Sequence, residues 1–517
     1  MAVRGDVVAW LGSDQVGRAQ FPDARVVDLD GAFVAPAFVD SHVHLTATGL
    51  TRLGLDLRGA TSKAHCLQLV ADYVATAVGG GHDVIWGHGW DDSGWPDASA
   101  PTVVELDAAV GSRPAYLTRI DAHSALASSA LRDRVPELAG AAGFDAAGPL
   151  SAEAHHLVRA QARALLRPAQ RDEARRSALD AFAAAGVVAV HECAGPNIGG
   201  LDDWREVQAI RHGVEVTGYW GEAVTSADEA RALIETTGAH GLAGDLFVDG
   251  ALGSRTAWLH EPYHDAPDTC GNGYLSEDAL TAHLSACTEA RVTAGFHVIG
   301  DRAVSAAVHA FARVAEAHGV AAVARCGHRL EHLEMVTPEQ ATALGGWGVI
   351  GSVQPGFDAR WGGPAGMYAQ RLGVARAEQL NPFALLASQG VPLAFGSDAP
   401  VTCIDPWGTV RAATAHHTPG SSISPRAAFA AATRGGWRAA GVRDGVTGTL
   451  APGAVASYAV WEVGELAVAA PADAVQRWST EPGSRVPGLP RLGAGEEPPR
   501  CLQTVHRGTV IFGAADG

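Results

Sequence analysis

From about residue 180 onward the chain repeats one pattern: a short apolar run ends in a polar cluster, and an alanine-rich helical stretch follows. The runs are GVVAVHECAG (186–195), DLFVDGALGS (245–254), TAGFHVIGDRA (293–303), HRLEHLEMV (328–336), GVIGSVQP (349–356) and VPLAFGSDAPV (391–401). Between them lie helix signals such as SEDALTAHLSACTEARVTAG and DRAVSAAVHAFARVAEAHG. TPEQ at 337–340 predicts a capping box, with Thr337 as N-cap, Pro338 at the first helical position and Gln340 three residues on. Strands that alternate with helices predict a parallel sheet, because parallel neighbours need a long crossover between them. Two earlier runs, FVAPAFVDSHVHL and DVIWGHGWD (83–91), bring the count to eight. Eight is the number a (β/α)8 TIM-type barrel requires, and a doubly wound α/β sheet is the competing arrangement. In a barrel the reactive side chains sit at the C-terminal strand ends, where the polar clusters fall here.

Residues 96–165 break the repeat and read as an insertion over the barrel mouth, between the second and third strands. The two ends differ again. VVAWLGSDQV at the front and TVHRGTVIFG at the back are short β runs with Gly and Pro turns. They predict one small β-sandwich domain from residues 1–34 and 445–517, beside a barrel over 35–444.

Composition bounds the function. A hydrophobic content of 47% with 62 glycines suits a loop-rich globular enzyme. The net charge of −18 disfavours nucleic acid and anionic membrane as partners. No stretch approaches 18 uninterrupted apolar residues, and MAVRGDVVAWLG lacks an apolar leader core, so a cytoplasmic protein is expected. The seven cysteines include no CxxC pair and read as free thiols. Lys63 is the chain's only lysine.

FVDSHVHL (38–45) places His42 and His44 two residues apart. On a strand that spacing puts both imidazoles on one face. Single histidines, His297 and His332, end the fifth and sixth predicted strands, and Asp398 ends the eighth. One such histidine alone is usually structural, but together these side chains can converge on one cavity. Imidazole and carboxylate are ligands zinc prefers, and a catalytic site leaves one position for water. His191 is read as structural, since nothing else requires it.

The stretches FVDSHVHL, GHGWDDSGWP, LFVDGALGSRTA, FHVIGDRAV, RLEHLEMV, SVQP and FGSDAPV, in this order, resemble the amidohydrolase superfamily, in particular its family 3 branch of YtcJ-like hydrolases and N-substituted formamide deformylases. The resemblance implies a (β/α)8 barrel, a β-sandwich from both termini and zinc-dependent hydrolysis of C–N bonds by a metal-activated hydroxide. It implies that His42, His44, His297, His332 and Asp398 are metal ligands, with His297, His332 and Asp398 catalytic and Asp398 carrying the proton. Two departures stand out: the chain begins near the family's second sandwich strand, and the family's metal-bridging lysine is here Asp245. Asp245 is the sixth candidate ligand, but its side chain is several bonds shorter than a carbamylated lysine. One zinc ion, or another divalent transition metal, is therefore expected rather than two.

For substrate contact the candidates are Trp86, His88, Asp121, His123, Asp249, Arg255, Asp301 and Gln354. Trp90, Trp95 and Ser254 join them as wall or turn residues, and Asp301 is equally suited to open a helix. The expected substrate is a small, fairly apolar amide or formamide, and a homodimer is the assembly considered. A deaminase of an amino-heterocycle and a catalytically silent metal-binding barrel are the alternatives. Because Lys63 lies outside every ligand run and Asp245 needs no carbamylation, Lys63→Arg and added bicarbonate are both expected to leave metal content and turnover unchanged. Elemental analysis and rate assays with and without bicarbonate check this.

Overall fold

A computed structural model describes residues 1–76, 84–97, 99–467, 488–493 and 495–514. Its centre is an eight-stranded parallel sheet. In chain order the strands are Phe38–Val43, Val187–Ala194, Glu215–Trp220, Gly241–Leu242, Thr293–Val298, Arg329–His332, Ile350–Val353 and Leu393–Phe395. Each pairs with its sequence neighbour, and the ring closes at the C-terminal end. There His44 N donates to Ala399 O at 2.9 Å and Asp398 N donates to His42 O at 2.8 Å. Gly396 permits this closure, because a Cβ there would stand 2.6 Å from His42 N. The long strands are buried on both faces, and Val187–Ala194 is buried at all eight positions, as a parallel sheet under helices requires. The result is the (β/α)8 barrel. The Thr337–Gln340 capping box is present as predicted, with Pro338 opening the helix Pro338–Trp347.

Three strand assignments change. Ile85–Trp90, within the run at 83–91 (Asp83 lies outside the described residues), is not a barrel strand. It belongs to a separate five-stranded sheet with Leu55–Asp56, Ala115–Arg119, Ser124–Ala127 and Leu150–Ser151. The insertion therefore begins near Leu55, not at 96, and separates the first barrel strand from the second. The third barrel strand is Glu215–Trp220, within VEVTGYW, a run that ends in no ligand-type cluster and so carried no signal. The fourth strand is only Gly241–Leu242, and DLFVDGALGS (245–254) is the loop that follows it. The helix Ala152–Ala164 closes the insertion and packs against its sheet.

Strands from both chain ends form a four-stranded antiparallel sheet in the order Thr509–Phe512, Arg500–His506, Tyr458–Glu462, Phe33–Pro36. Residues 468–487, 494 and 515–517 of the predicted C-terminal domain lie outside the described residues. Phe38 joins this sheet to the barrel floor, with its ring 5.0 Å from Trp407, 5.4 Å from Phe429 and 5.8 Å from Trp461. Edge-to-face packing of this kind adds to the burial of apolar surface. Lys63 opens the surface helix Lys63–Thr76, with Nζ 3.3 Å from Glu105. All seven cysteines are free, and no described helix is long and apolar enough to cross a membrane.

Candidate active site

The six ligand-type residues meet at the C-terminal mouth of the barrel. His44 Nε2 lies 3.2 Å from Asp245 Oδ2 and 3.3 Å from Asp398 Oδ1. His42 Nε2 lies 3.4 Å from Asp245 Oδ1 and 3.6 Å from Asp398 Oδ1. His297 Nδ1 and His332 Nε2 approach Asp245 Oδ1 at 3.4 and 4.0 Å. Asp245 thus reaches the centre, although its side chain is short. Its backbone runs inward, against Gly221, where a Cβ would stand 2.7 Å from the Asp245 carbonyl carbon. His332 and Asp398 hold left-handed backbone angles, φ of 72° and 53°. Non-glycine residues adopt such angles uncommonly, and surrounding contacts must hold them there.

Three of the four imidazoles are oriented by a bond on their far nitrogen. His42 Nδ1 donates to Glu331 Oε2 at 2.9 Å, His332 Nδ1 to Gln354 Oε1 at 2.8 Å, and His297 Nε2 to Gly250 O at 3.3 Å. Each acceptor fixes the tautomer, leaving a lone pair aimed at the centre. Those lone-pair atoms, with Asp245 Oδ1 and Asp398 Oδ1, are buried and have no hydrogen-bond partner. Buried polar atoms are rarely left so, and five that converge fit a cation between them. Burial alone would depress the His44 imidazole, yet Asp245 and Asp398 lift it to about 9. The carboxylates thus favour positive charge among the rings, which a proton or a metal ion can supply. Of three groups tight enough for an ion among the described residues, His42–Cys193–Glu331 includes a carboxylate already bonded to His42 Nδ1 and to Arg329, and two converge on the mouth, His42–His44–Asp398 and His42–Asp245–His332. Both use His42, which has one free nitrogen, so they describe one centre.

Beneath the centre lies a buried ion pair. Arg329 Nη2 donates to Glu331 Oε2 at 2.9 Å, to Ser41 O at 2.7 Å and to Ser352 Oγ at 2.8 Å. Its Nη1 donates to His191 Nδ1 at 3.1 Å, and its guanidinium stacks 4.2 Å from the Tyr219 ring. Burial would raise the Glu331 carboxyl, but Arg329 and the His42 bond hold it well below the usual carboxylate range. His191 is therefore a partner of Arg329, set below the ligands.

The expected substrate-contact residues divide. Trp86, His88, Asp121 and His123 line the cavity over the centre, and the His123 ring sits 5.0 Å from that of His297. His88 has both nitrogens engaged, by Thr118 Oγ1 at 2.6 Å and Pro400 O at 3.2 Å, and burial pushes it down to about 4. Asp121 is held by Arg119 Nη1 at 2.9 Å and by Ser254 Oγ at 2.8 Å. The others are structural. Asp249 accepts from the backbone of Trp258, Ile299 and Gly300 at 2.8–3.0 Å and clamps two loops. Arg255 pairs with Asp265 at 2.7 Å, away from the cavity. Asp301 accepts from His260 N at 2.9 Å at its helix start. Gln354 is spent on His332. Trp90 and Trp95 donate to Leu117 O and Ala60 O inside the insertion core.

Arg329 and Glu331 are functional neighbours that the sequence signals only by their i, i+2 spacing in RLEH, which is that of one strand face. His155, Arg159 and Arg163 are signalled in the same way, spaced four apart on the helix Ala152–Ala164, which is the spacing of one helical face. Arg159, Arg163, His156 and Tyr116 line the same cavity.

A model of the amidohydrolase family matches residues 25–512. The chain is 28% identical over 499 residues to the Protein LONG AFTER FAR-RED 3 of Arabidopsis thaliana, spanning 89% of this chain and 83% of that one. It is 27% identical over 434 residues to the putative amidohydrolase YtcJ of Bacillus subtilis (strain 168), spanning 78% of each. Among solved structures it is similar to an uncharacterized metal-dependent hydrolase from Pyrococcus furiosus, with a TM-score of 0.65 and 27% identity over 89% of this chain and 93% of that one.

Arg329→Met leaves Glu331 buried and uncompensated, and is expected to cost about 3–5 kcal/mol. Urea unfolding measures it, and Arg329→Met with Glu331→Leu should recover part of the loss. Because Glu331 titrates lower in the folded than in the unfolded protein, its contribution is present above the ordinary carboxylate pKa. It is lost as pH falls through the depressed folded value.

Proposed function

This chain belongs to the amidohydrolase family, and we propose that it is a metal-dependent hydrolase acting on a C–N bond of amide or formamide type in a small molecule. The observation that carries the reading is the set of three imidazoles, each tied at one nitrogen and aimed with the other at Asp245 Oδ1. His42, His44, Asp398 and Asp245 would hold the ion, with His297 and His332 closing the other side. One zinc ion per chain is the stoichiometry proposed, since the two triads share His42. When bound, a divalent ion supplies a water of lowered pKa and polarises a carbonyl oxygen.

The protein's own groups do the rest. Asp398 stands at the mouth with one carboxylate oxygen free of hydrogen bonds. It is placed to take the proton from the attacking water and return it to the departing amine. His123 is half-buried, and desolvation of its ring holds the imidazole well below the ordinary histidine value. As a neutral ring beside His297 it is placed to donate to the carbonyl oxygen. Gln354 is not placed for such a donation, because it does not line the cavity and its amide nitrogen points to Ser352 O while its oxygen accepts from His332. Glu331 and Gln354 act by orienting ligands, and loss of such a partner typically costs 10–100-fold in metal affinity.

His42→Ala and His44→Ala are each expected to lose bound metal and hydrolysis together, and full metal content by elemental analysis in both would remove the ligand assignment. Asp398→Asn should keep the fold and lower the rate by about 10²–10⁴-fold if the proton passes through it. A screen of amides and formamides tests the bond cleaved, and release of ammonia from an amino-heterocycle would move the reading to a deaminase.

A further inference from the structure

The cavity over the centre has two arms that share Asp121, His123, His297, His332 and Asp398. One arm runs beneath Phe357, Trp361, Met367 and Tyr368 and is largely apolar. The other runs under the insertion and is walled by Tyr116, His156, Arg159 and Arg163. This second arm is the unusual one. Arg159 is 9% exposed, and its Nε, like that of Arg163, is buried without an acceptor. Arg159 Nη2 donates to the Asn197 carbonyl. Among the described residues no carboxylate comes within 4.0 Å of either guanidinium, although Asp245 and Glu192 act on them from further away. The buried arginines Arg119, Arg175 and Arg329, by contrast, each meet a carboxylate within 3.0 Å. A buried cation without a counter-ion is costly, and a guanidinium fork matches a carboxylate in two parallel bonds.

We propose that Arg159 and Arg163 form an anion subsite, so that the substrate carries a carboxylate in the arm under the insertion and an apolar group in the arm beneath Phe357 and Trp361, with the scissile bond between them over the centre. The proposal rests on the hydrolase reading and deepens it. It also replaces the expectation of a fairly apolar substrate, which suits only one of the two arms. The neighbouring groups agree. His156 is kept neutral, first by desolvation and then by the Arg159 charge beside it, and adds a hydrogen-bond donor to the arm without adding negative charge. His155, bonded at Nε2 to the Tyr116 hydroxyl at 2.8 Å, steadies that hydroxyl in the wall.

Two matched pairs test the subsite on the metal-loaded protein: 4-acetamidobenzoate against 4-acetamidobenzamide, and succinanilate against its methyl ester. They place the carboxylate on the amine side and on the acyl side of the amide. The acid of at least one pair should exceed its neutral partner in kcat/KM by about tenfold or more, as a charge-assisted contact requires. Arg159→Met and Arg163→Gln should each bring that ratio towards one, with Arg159→Lys keeping part of it. Arg163 is the less buried of the two, so its variant carries the test if Arg159→Met fails to fold. Equal or better turnover of the neutral member in both pairs, or a ratio unchanged in the variants, overturns the subsite while leaving the hydrolase reading intact. If no amide is cleaved, calorimetry of 4-acetamidobenzoate against 4-acetamidobenzamide decides separately. Tighter binding of the acid, lost in the variants, upholds the subsite and leaves the bond cleaved to the wider amide and formamide screen, and equal binding overturns the subsite.

Discussion

A guanidinium with no access to water, that of Arg329, stands on the barrel axis and ties the strands to one another. Its contacts reach Ser41 on the first strand, His191 on the second, Tyr219 on the third, Glu331 on its own and Ser352 on the seventh. An ion in this position must be fully satisfied, because an unpaired buried charge costs several kcal/mol. Glu331 answers the charge and then uses its second face to fix His42. The ligand layer above is therefore built on the ion pair below it, and the tautomer of His42 is decided from beneath.

Above that layer the barrel alone does not make a site. Four separate stretches of chain bring in the walls: the sheet and helix between the first and second strands, the loop after the fourth strand that delivers Asp245, the segment after the seventh that carries Phe357 and Trp361, and the loop after the eighth that delivers Asp398. The two hydrogen bonds that close the ring, between His42 and Asp398 and between His44 and Ala399, are made by the ligand segments themselves. Closing the barrel and assembling the centre are thus the same event. That coupling explains why the left-handed angle at Asp398 is tolerated: the surrounding bonds over-determine it.

The two-armed cavity follows from which elements supply each side. The insertion carries Arg159, Arg163, His123 and His156 to one arm, while the segment after the seventh strand carries Phe357, Trp361 and Tyr368 to the other. Neither surface is determined by the barrel. The same ring of strands could serve quite different substrates with other walls.

The sequence by itself determined the barrel class and which side chains could converge on one centre. Strand-to-helix alternation has few solutions, and HxH at a strand end can only place both rings on one side, so His42, His44, His297, His332 and Asp398 were legible as a group. It also carried the capping box at Thr337, since that motif is closed within four residues. Only the tertiary structure decided what depends on contacts distant in the chain. Ile85–Trp90 has the composition of a barrel strand but pairs within the insertion, because its partners are Leu55–Asp56 and Ala115–Arg119. Asp245 looks too short to reach the centre until Gly221 lets its backbone lie close. Asp249 and Gln354 resemble substrate contacts until their bonds, to three backbone amides and to His332, are counted. Arg159 and Arg163 are unremarkable on a helix of their own, and only the fold buries them beside the centre with no carboxylate to meet them. Local periodicity reads which residues share a face, whereas what that face meets is fixed by pairings across hundreds of residues, which no local pattern encodes.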